Sequence, residues 1–270
     1  MQIDSVQAIV LAIVQGLTEF LPISSSGHLI LFPAILGWPD QGQGFDVALH
    51  VGSLAAVIFY FKTDMLGLLG AVPQILKGQS SKQTRLFLNL LVATLPALLA
   101  AYLLKDWIEV SLRGALLIAV SSIGFGILLW HSDRRRINSE GLDEMNSGRA
   151  LIIGLAQILA LLPGTSRSGI TITAARYLGY DRKQAARFSF LMSIPIIAAA
   201  GLYKTIELAG VYGRLETEVQ WDMFALGTIV SAVSAYLCIV LFLQTIQRVG
   251  MLPFVIYRVL LGLFLFYVFW

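Results

Sequence analysis

Apolar residues along the chain gather into six runs long enough, or nearly so, to cross a hydrocarbon layer of roughly 30 Å. They cover Phe45–Phe61, Leu86–Leu104, Gly114–Trp130, Ala185–Leu202, Met223–Leu243 and Leu252–Trp270. Each predicts a transmembrane helix. Pro96 and Pro195 fall inside two of them, where neighbouring helices tolerate a kink. Two further regions are apolar but broken at Leu-Pro. Val6–Leu21 stops there, and a Ser/Gly tip leads into His28–Leu36. Ala150–Leu162 stops the same way, and a Thr/Ser/Gly tip leads into Ile170–Leu178. With about 1.5 Å of rise per residue these arms are too short to cross comfortably. They predict two re-entrant helix–loop–helix hairpins, each entering and leaving by one face. Lipid does not tolerate bare irregular backbone, so the tips should be buried in protein or line a polar cavity.

The two hairpins form a repeat. Gln15 matches Gln157, Gly27 matches Gly169, and Leu-Gly-Trp at Leu36 matches Leu-Gly-Tyr at Leu178, all at an offset of 142 residues. Three spans follow each copy, and an odd number of crossings turns the second copy upside down. The expected fold is therefore an all-α integral membrane protein with an inverted-topology repeat, six transmembrane helices and two re-entrant hairpins. It reads as one membrane domain, with repeat one over about 1–131, repeat two over about 150–270 and a charged, solvated linker at 132–149.

Composition narrows the class further. Hydrophobic residues make up 57% of the 270 and charged residues only 13%, about half the usual charged share of soluble domains. The basic balance is thus no nucleic-acid signal. It reports orientation instead. The topology puts twelve Lys and Arg, from Lys62 to Arg248, on one face and four (Lys105, Arg113, Lys204, Arg214) on the other. The richer face should be cytoplasmic, which places both termini outside. The single cysteine, Cys238, excludes an intrachain disulfide. The first basic residue is Lys62, so the positive start of a cleavable signal peptide is missing.

The candidate chemistry sits at the tips. If they meet inside the protein, helices beginning near His28 and Ile170 point their N-termini into one space, and free N–H groups with a positive dipole end favour an anion. Ser24, Ser25, Ser26, Thr165, Ser166, Ser168 and Thr171 add hydroxyl donors, and Arg167 adds a planar fork suited to phosphate. A charged Arg at membrane depth calls for an anionic partner, supplied by a ligand or by Glu19 as a structural bridge. Gln15 lies four residues before Glu19 on the same helical face, where it could bind a metal or close the hairpin. His28 could orient a nucleophile, transfer a proton, or simply cap and pack. Asp46 and His50, an i,i+4 pair at the start of a span, read as structural.

At Gln-Gly-Leu-Thr-Glu-Phe-Leu-Pro-Ile-Ser-Ser-Ser-Gly-His (15–28) and Leu-Pro-Gly-Thr-Ser-Arg-Ser-Gly-Ile-Thr (162–171) the chain resembles the undecaprenyl-diphosphate phosphatases, also called bacitracin-resistance proteins. That family shows a Glu-or-Gln-x-x-x-Glu motif, here Gln15 to Glu19, and a Pro-Gly-x-Ser-Arg-Ser-x-x-Thr motif, here Pro163 to Thr171. The resemblance implies a bacterial inner-membrane enzyme that hydrolyses undecaprenyl diphosphate to the monophosphate carrier of peptidoglycan synthesis and so confers bacitracin resistance. It implies Mg²⁺ or Ca²⁺ as cofactor, with Glu19 and Gln15 as the ligands to consider, and a site open to the outer face. By match, Glu19, Ser25, His28, Ser166, Arg167 and Thr171 carry the site. The expected partners are the polyprenyl diphosphate substrate and membrane lipids, with a homodimer left open. Ser25 attacking with help from Glu19 or His28, and water activated by Glu19, are the two mechanisms. A transporter or flippase for a phosphate-bearing lipid or other anion is the non-enzymatic alternative.

Overall fold

The computed structural model describes residues 3–111, 114–135, 141–212 and 220–270. Among them there are eleven α-helices and no strand. In chain order the helices are α1 (Ser5–Phe20), α2 (Ser25–Leu36), α3 (Gly42–Tyr60), α4 (Lys62–Leu76), α5 (Lys82–Ser111), α6 (Ala115–Asp133), α7 (Ser147–Ile158), α8 (Arg167–Tyr177), α9 (Arg182–Tyr212), α10 (Trp221–Val249) and α11 (Leu252–Phe269). Six of the described helices are long and apolar enough to cross a membrane: α3, α5, α6, α9, α10 and α11. They coincide with the six predicted spans. Large apolar side chains such as Leu95, Val120, Ile229, Leu237 and Leu260 stand exposed on them, as a lipid solvent permits.

Two features depart from the sequence reading. Residues 62–76 form the unforeseen helix α4, which the span pattern leaves out because its 15 residues are too short to cross. The proposed linker 132–149 is helical at both edges, since α6 runs to Asp133 and α7 begins at Ser147. Its residues 136–140 lie outside the described residues. So do Arg113, Arg136 and Arg214, which had been used to assign the faces.

The short helices are held deep among the long ones by close backbone approach. α1 packs on α10, and a Cβ on Gly16 would fall 2.7 Å from the backbone nitrogen of Ala235. α7 packs on α5, and a Cβ on Gly154 would fall 2.4 Å from the carbonyl oxygen of Ala93. No larger side chain fits at either glycine without separating the helices. α3 packs against both α9 and α10, while α6 packs against α11.

Arg258, buried on α11, binds the centre of the molecule together. Its Nε donates to Ser122 O at 3.0 Å, Nη1 to Pro22 O and Thr165 O at 3.1 and 2.8 Å, and Nη2 to Ser121 O and Gly164 O at 3.3 and 2.9 Å. A guanidinium has five N–H donors, and all five find carbonyls here. They come from the α1–α2 tip, the α7–α8 tip and the middle of α6. Backbone carbonyls freed by irregular tips must be satisfied away from water, and one side chain does this for both tips.

Candidate active site

The helices after the tips begin three residues earlier than the sequence suggests, at Ser25 and Arg167 instead of near His28 and Ile170. The reason lies in the preceding residues. Ser24 (φ 73°) and Ser166 (φ 70°) are the two non-glycine residues with positive φ among those described. That left-handed backbone is costly for a residue with a Cβ and persists only where its surroundings impose it, most often at functional sites. It turns the chain sharply enough for the next residue to open a helix. Ser25 and Arg167 thus sit in first turns, where N–H groups lack helical partners. At α8 the Ser166 hydroxyl accepts from Gly169 N at 3.1 Å. α2 has no side-chain cap.

The two first turns meet through Glu19, near the end of α1. The Ser25 hydroxyl donates to Glu19 Oε2 at 2.6 Å, and Gln15 Nε2 donates to the same oxygen at 2.9 Å. Arg167 Nη2 donates to Glu19 Oε1 at 3.1 Å, while its Nη1 donates to Ser189 O at 3.0 Å. Glu19 is buried and Arg167 largely so, their side chains 7% and 13% exposed. Removing one member of such a pair leaves an uncompensated buried charge. The Thr171 hydroxyl donates to Arg167 O at 2.8 Å and lies 2.7 Å from the Ser189 hydroxyl. It therefore ties the backbone of Arg167 to the Ser189 side chain.

This cluster forms part of the wall of a cavity of about 760 Å³. Of the predicted residues, Glu19, Ser24, Ser25, Ser26, Ser166 and Arg167 line it. Its other walls are largely apolar, from the second halves of α5 (Ala97, Leu98, Ala101) and α9 (Ile196, Ile197, Ala200). Five predicted residues, Gln15 among them, are not on that wall. Ser168 donates to Leu21 O at 2.8 Å and so joins the tips. Thr171 is committed as described, and the buried Thr165 hydroxyl has no hydrogen-bond partner. His28 turns away from Glu19 and Ser25: its Nδ1 lies 2.6 Å from Ser24 O, and its Nε2 lies 2.5 Å from the hydroxyl of Tyr257, on which the ring stacks. The geometry gives it the packing role, because its position one turn into α2 faces it towards α11.

Sequence reasoning missed residues that the fold brings in. His50 Nε2 lies 3.7 Å from Glu19 Oε2, and its Nδ1 lies 2.7 Å from Asp46 O. Gln43, Asp46, Val47 and His50 present one face of α3 to the cavity, so the pair read as structural belongs to the site wall. The i, i+3, i+4, i+7 spacing of these four was the available signal. For Arg258 the signal was a lone charge in the middle of an apolar run.

The donor set bears on a divalent cation. Among the described residues no group of three or more His, Cys, Asp and Glu could hold a metal, so there is no all-protein cage. Mg²⁺ typically takes one or two carboxylates and completes its shell with water and substrate phosphates. Glu19 and Asp46, both on the cavity wall, fit that kind of site. Gln15 is not on the wall.

An all-helical, multi-pass membrane protein with a buried carboxylate–guanidinium–hydroxyl centre beside a largely apolar cavity is the class that fold and site define. The chain belongs to the family described as bacitracin resistance protein BacA, whose family model matches residues 8–264. It is 54% identical over 257 residues to the undecaprenyl-diphosphatase of Hahella chejuensis, covering 95% of each chain. It is 52% identical to that of Alcanivorax borkumensis (98% of each) and 50% identical to that of Saccharophagus degradans (99% of each).

Proposed function

We propose that this protein is an inner-membrane undecaprenyl-diphosphatase: it hydrolyses undecaprenyl diphosphate to undecaprenyl phosphate and inorganic phosphate, recycling the carrier lipid of wall synthesis. The observation that carries this reading is the Ser25–Glu19–Arg167 cluster on the wall of a largely apolar cavity. A diphosphate head needs donors and charge neutralisation as the terminal phosphoryl departs. Its prenyl tail needs apolar walls, which α5 and α9 provide.

The favoured sequence of steps starts with the Ser25 hydroxyl, which already donates to Glu19 at 2.6 Å. Glu19 takes that proton as the oxygen attacks the terminal phosphorus. The phosphoanhydride bond breaks and the lipid monophosphate leaves. Glu19 gives its proton to the departing monophosphate and, a carboxylate again, takes one from the water that attacks the phosphoserine; that proton returns to Ser25 Oγ as phosphate is released. Arg167 and the uncapped N–H groups of α2 hold the phosphoryl oxygens throughout. Mg²⁺ or Ca²⁺ held by Glu19, Asp46 and the diphosphate would supply further charge neutralisation. Direct attack by water activated by Glu19 is the rival route. The flippase reading is less favoured, because a carrier needs no hydroxyl poised on a carboxylate.

The proposed architecture is an inverted repeat with two re-entrant hairpins. One offset of 142 residues relates the left-handed Ser24 and Ser166, the left-handed Gly37 and Gly179, and the starts of α2 and α8. The four arms, α1, α2, α7 and α8, hold 16, 12, 12 and 11 residues. At 1.5 Å per residue they reach about 24 Å at most, short of the hydrocarbon thickness. The cavity runs along the second halves of α5 and α9 towards Tyr102 and Lys204, the face with fewer cations, so the site is proposed to open outward. The deciding experiment supplies undecaprenyl diphosphate to detergent-solubilised protein. Release of phosphate is expected, and its absence from folded protein over a range of divalent cations would overturn the reading.

A further inference from the structure

Among the described residues, Gln157 is the one buried amide on the cavity wall with neither atom hydrogen-bonded. It sits near the end of α7 and is 2% exposed. Its Oε1 and Nε2 are both without a hydrogen-bond partner. Burying an amide that way costs free energy on both atoms. Its counterpart at the 142-residue offset, Gln15, avoids half of that cost by donating to Glu19 one turn on. The corresponding position after Gln157 is Leu161, which offers nothing. The second copy of the repeat therefore keeps the amide and has lost its internal partner.

We propose that Gln157 is a substrate ligand, donating from Nε2 to the phosphate that stays on the lipid. This rests on the diphosphatase reading above. The departing phosphoryl already has Arg167, Ser25 and the first turn of α2. A diphosphate carries a second set of oxygens, and Gln157 is the unused buried amide facing the same cavity. A neutral donor suits that place. It recognises the retained phosphate without the charge that would hold the monophosphate product after transfer.

The test uses Gln157→Leu and Gln157→Glu in detergent, with steady-state turnover of undecaprenyl diphosphate, inhibition by undecaprenyl phosphate and by inorganic phosphate, and melting temperature of the ligand-free protein. The retained phosphate is common to substrate and lipid product, so its ligand contributes uniform binding. Gln157→Leu should raise KM and the inhibition constant of undecaprenyl phosphate together, by about tenfold, the effect of one hydrogen bond to a charged group. kcat and inhibition by inorganic phosphate should stay within about twofold. Gln157→Glu, which sets a carboxylate against the phosphate, should raise KM further. The melting temperature of Gln157→Leu should hold or rise, since an unsatisfied buried amide has gone. Unchanged KM in both folded variants overturns the assignment, as does weaker inhibition by inorganic phosphate, which would put Gln157 on the departing group. A fall in melting temperature with unchanged KM assigns a structural role instead. If the wild-type protein releases no phosphate, the diphosphatase reading fails and this one with it; an active wild type with indifferent variants sinks Gln157 alone.

Discussion

Arg167 Nη2 and Glu19 Oε1 stand 3.1 Å apart across 148 residues of sequence. The pair joins the first turn of α8 to the last turn of α1, inside a wall that also carries the Ser25 hydroxyl. Each member satisfies the other's charge at a depth where neither is tolerated alone. On the proposed function a diphosphate gives Arg167 a second anion, so structural and catalytic roles should separate in the mutants.

Arg167→Lys keeps the charge and loses the fork, which are not equivalent at a phosphate. It should fold and lose most turnover, with kcat falling more than KM rises because the clamp acts on charge that develops during transfer. Arg167→Ala should also lower the melting temperature, and adding Glu19→Gln should restore much of it. Turnover per folded molecule and melting temperature for each variant separate the two roles. Near-normal turnover in folded Arg167→Ala would remove phosphate from its account.

Ser25→Ala deletes the hydroxyl that donates to Glu19 at 2.6 Å. Turnover should all but vanish while the fold is kept, and rapid quenching of the wild-type enzyme should trap phosphate on Ser25. Substantial residual turnover would transfer the attack to water.

His28 bridges Ser24 O and the Tyr257 hydroxyl and is positioned to hold the strained turn before Ser25. His28→Asn should lower kcat by the same factor at every pH, because the ring lies off the proposed proton path. Tyr257→Phe should have a smaller effect in the same sense. A pH profile that changes shape in His28→Asn would return the imidazole to proton transfer.

Arg258→Met should destabilise the fold severely, since the tip carbonyls of Pro22, Gly164 and Thr165 lose their buried donor and each orphaned group costs about 1–3 kcal/mol. Arg258→Lys should rescue only part of the loss, having three donors in place of five. Thermal unfolding in detergent measures both, and a melting temperature near wild type for Arg258→Met would contradict the role given to it.

The excess of cations near Arg134 predicts a cytoplasmic α6–α7 connection and an outer C-terminus. A reporter active only in the cytoplasm, fused after Trp270, should be silent. Activity there would invert the topology and turn the cavity to the other face.

The sequence by itself determined the spans, because a run's apolar length is compared with one external number, the thickness of the hydrocarbon. It determined the broken arms too, since Leu-Pro followed by Ser and Gly stops a helix wherever it occurs. It also singled out Ser25 and Arg167, whose types suit a phosphate, and Gln15 and Glu19 as a pair on one helical face. Only the tertiary structure decided which groups share a wall. Ser24, Ser25 and Ser26 face the cavity while Thr165, Ser168 and Thr171 do not, because a hydroxyl's direction follows from helix phase and from the neighbour that takes its hydrogen bond. His28 went to Tyr257 on α11, and His50 came to Glu19 from α3. Both depend on packing between helices far apart in sequence. Arg258 reaches Pro22 across 236 residues, and nothing local to either residue announces the other. The cavity belongs to the same class: its apolar walls look like ordinary span residues until α5, α7 and α9 are set around the two tips.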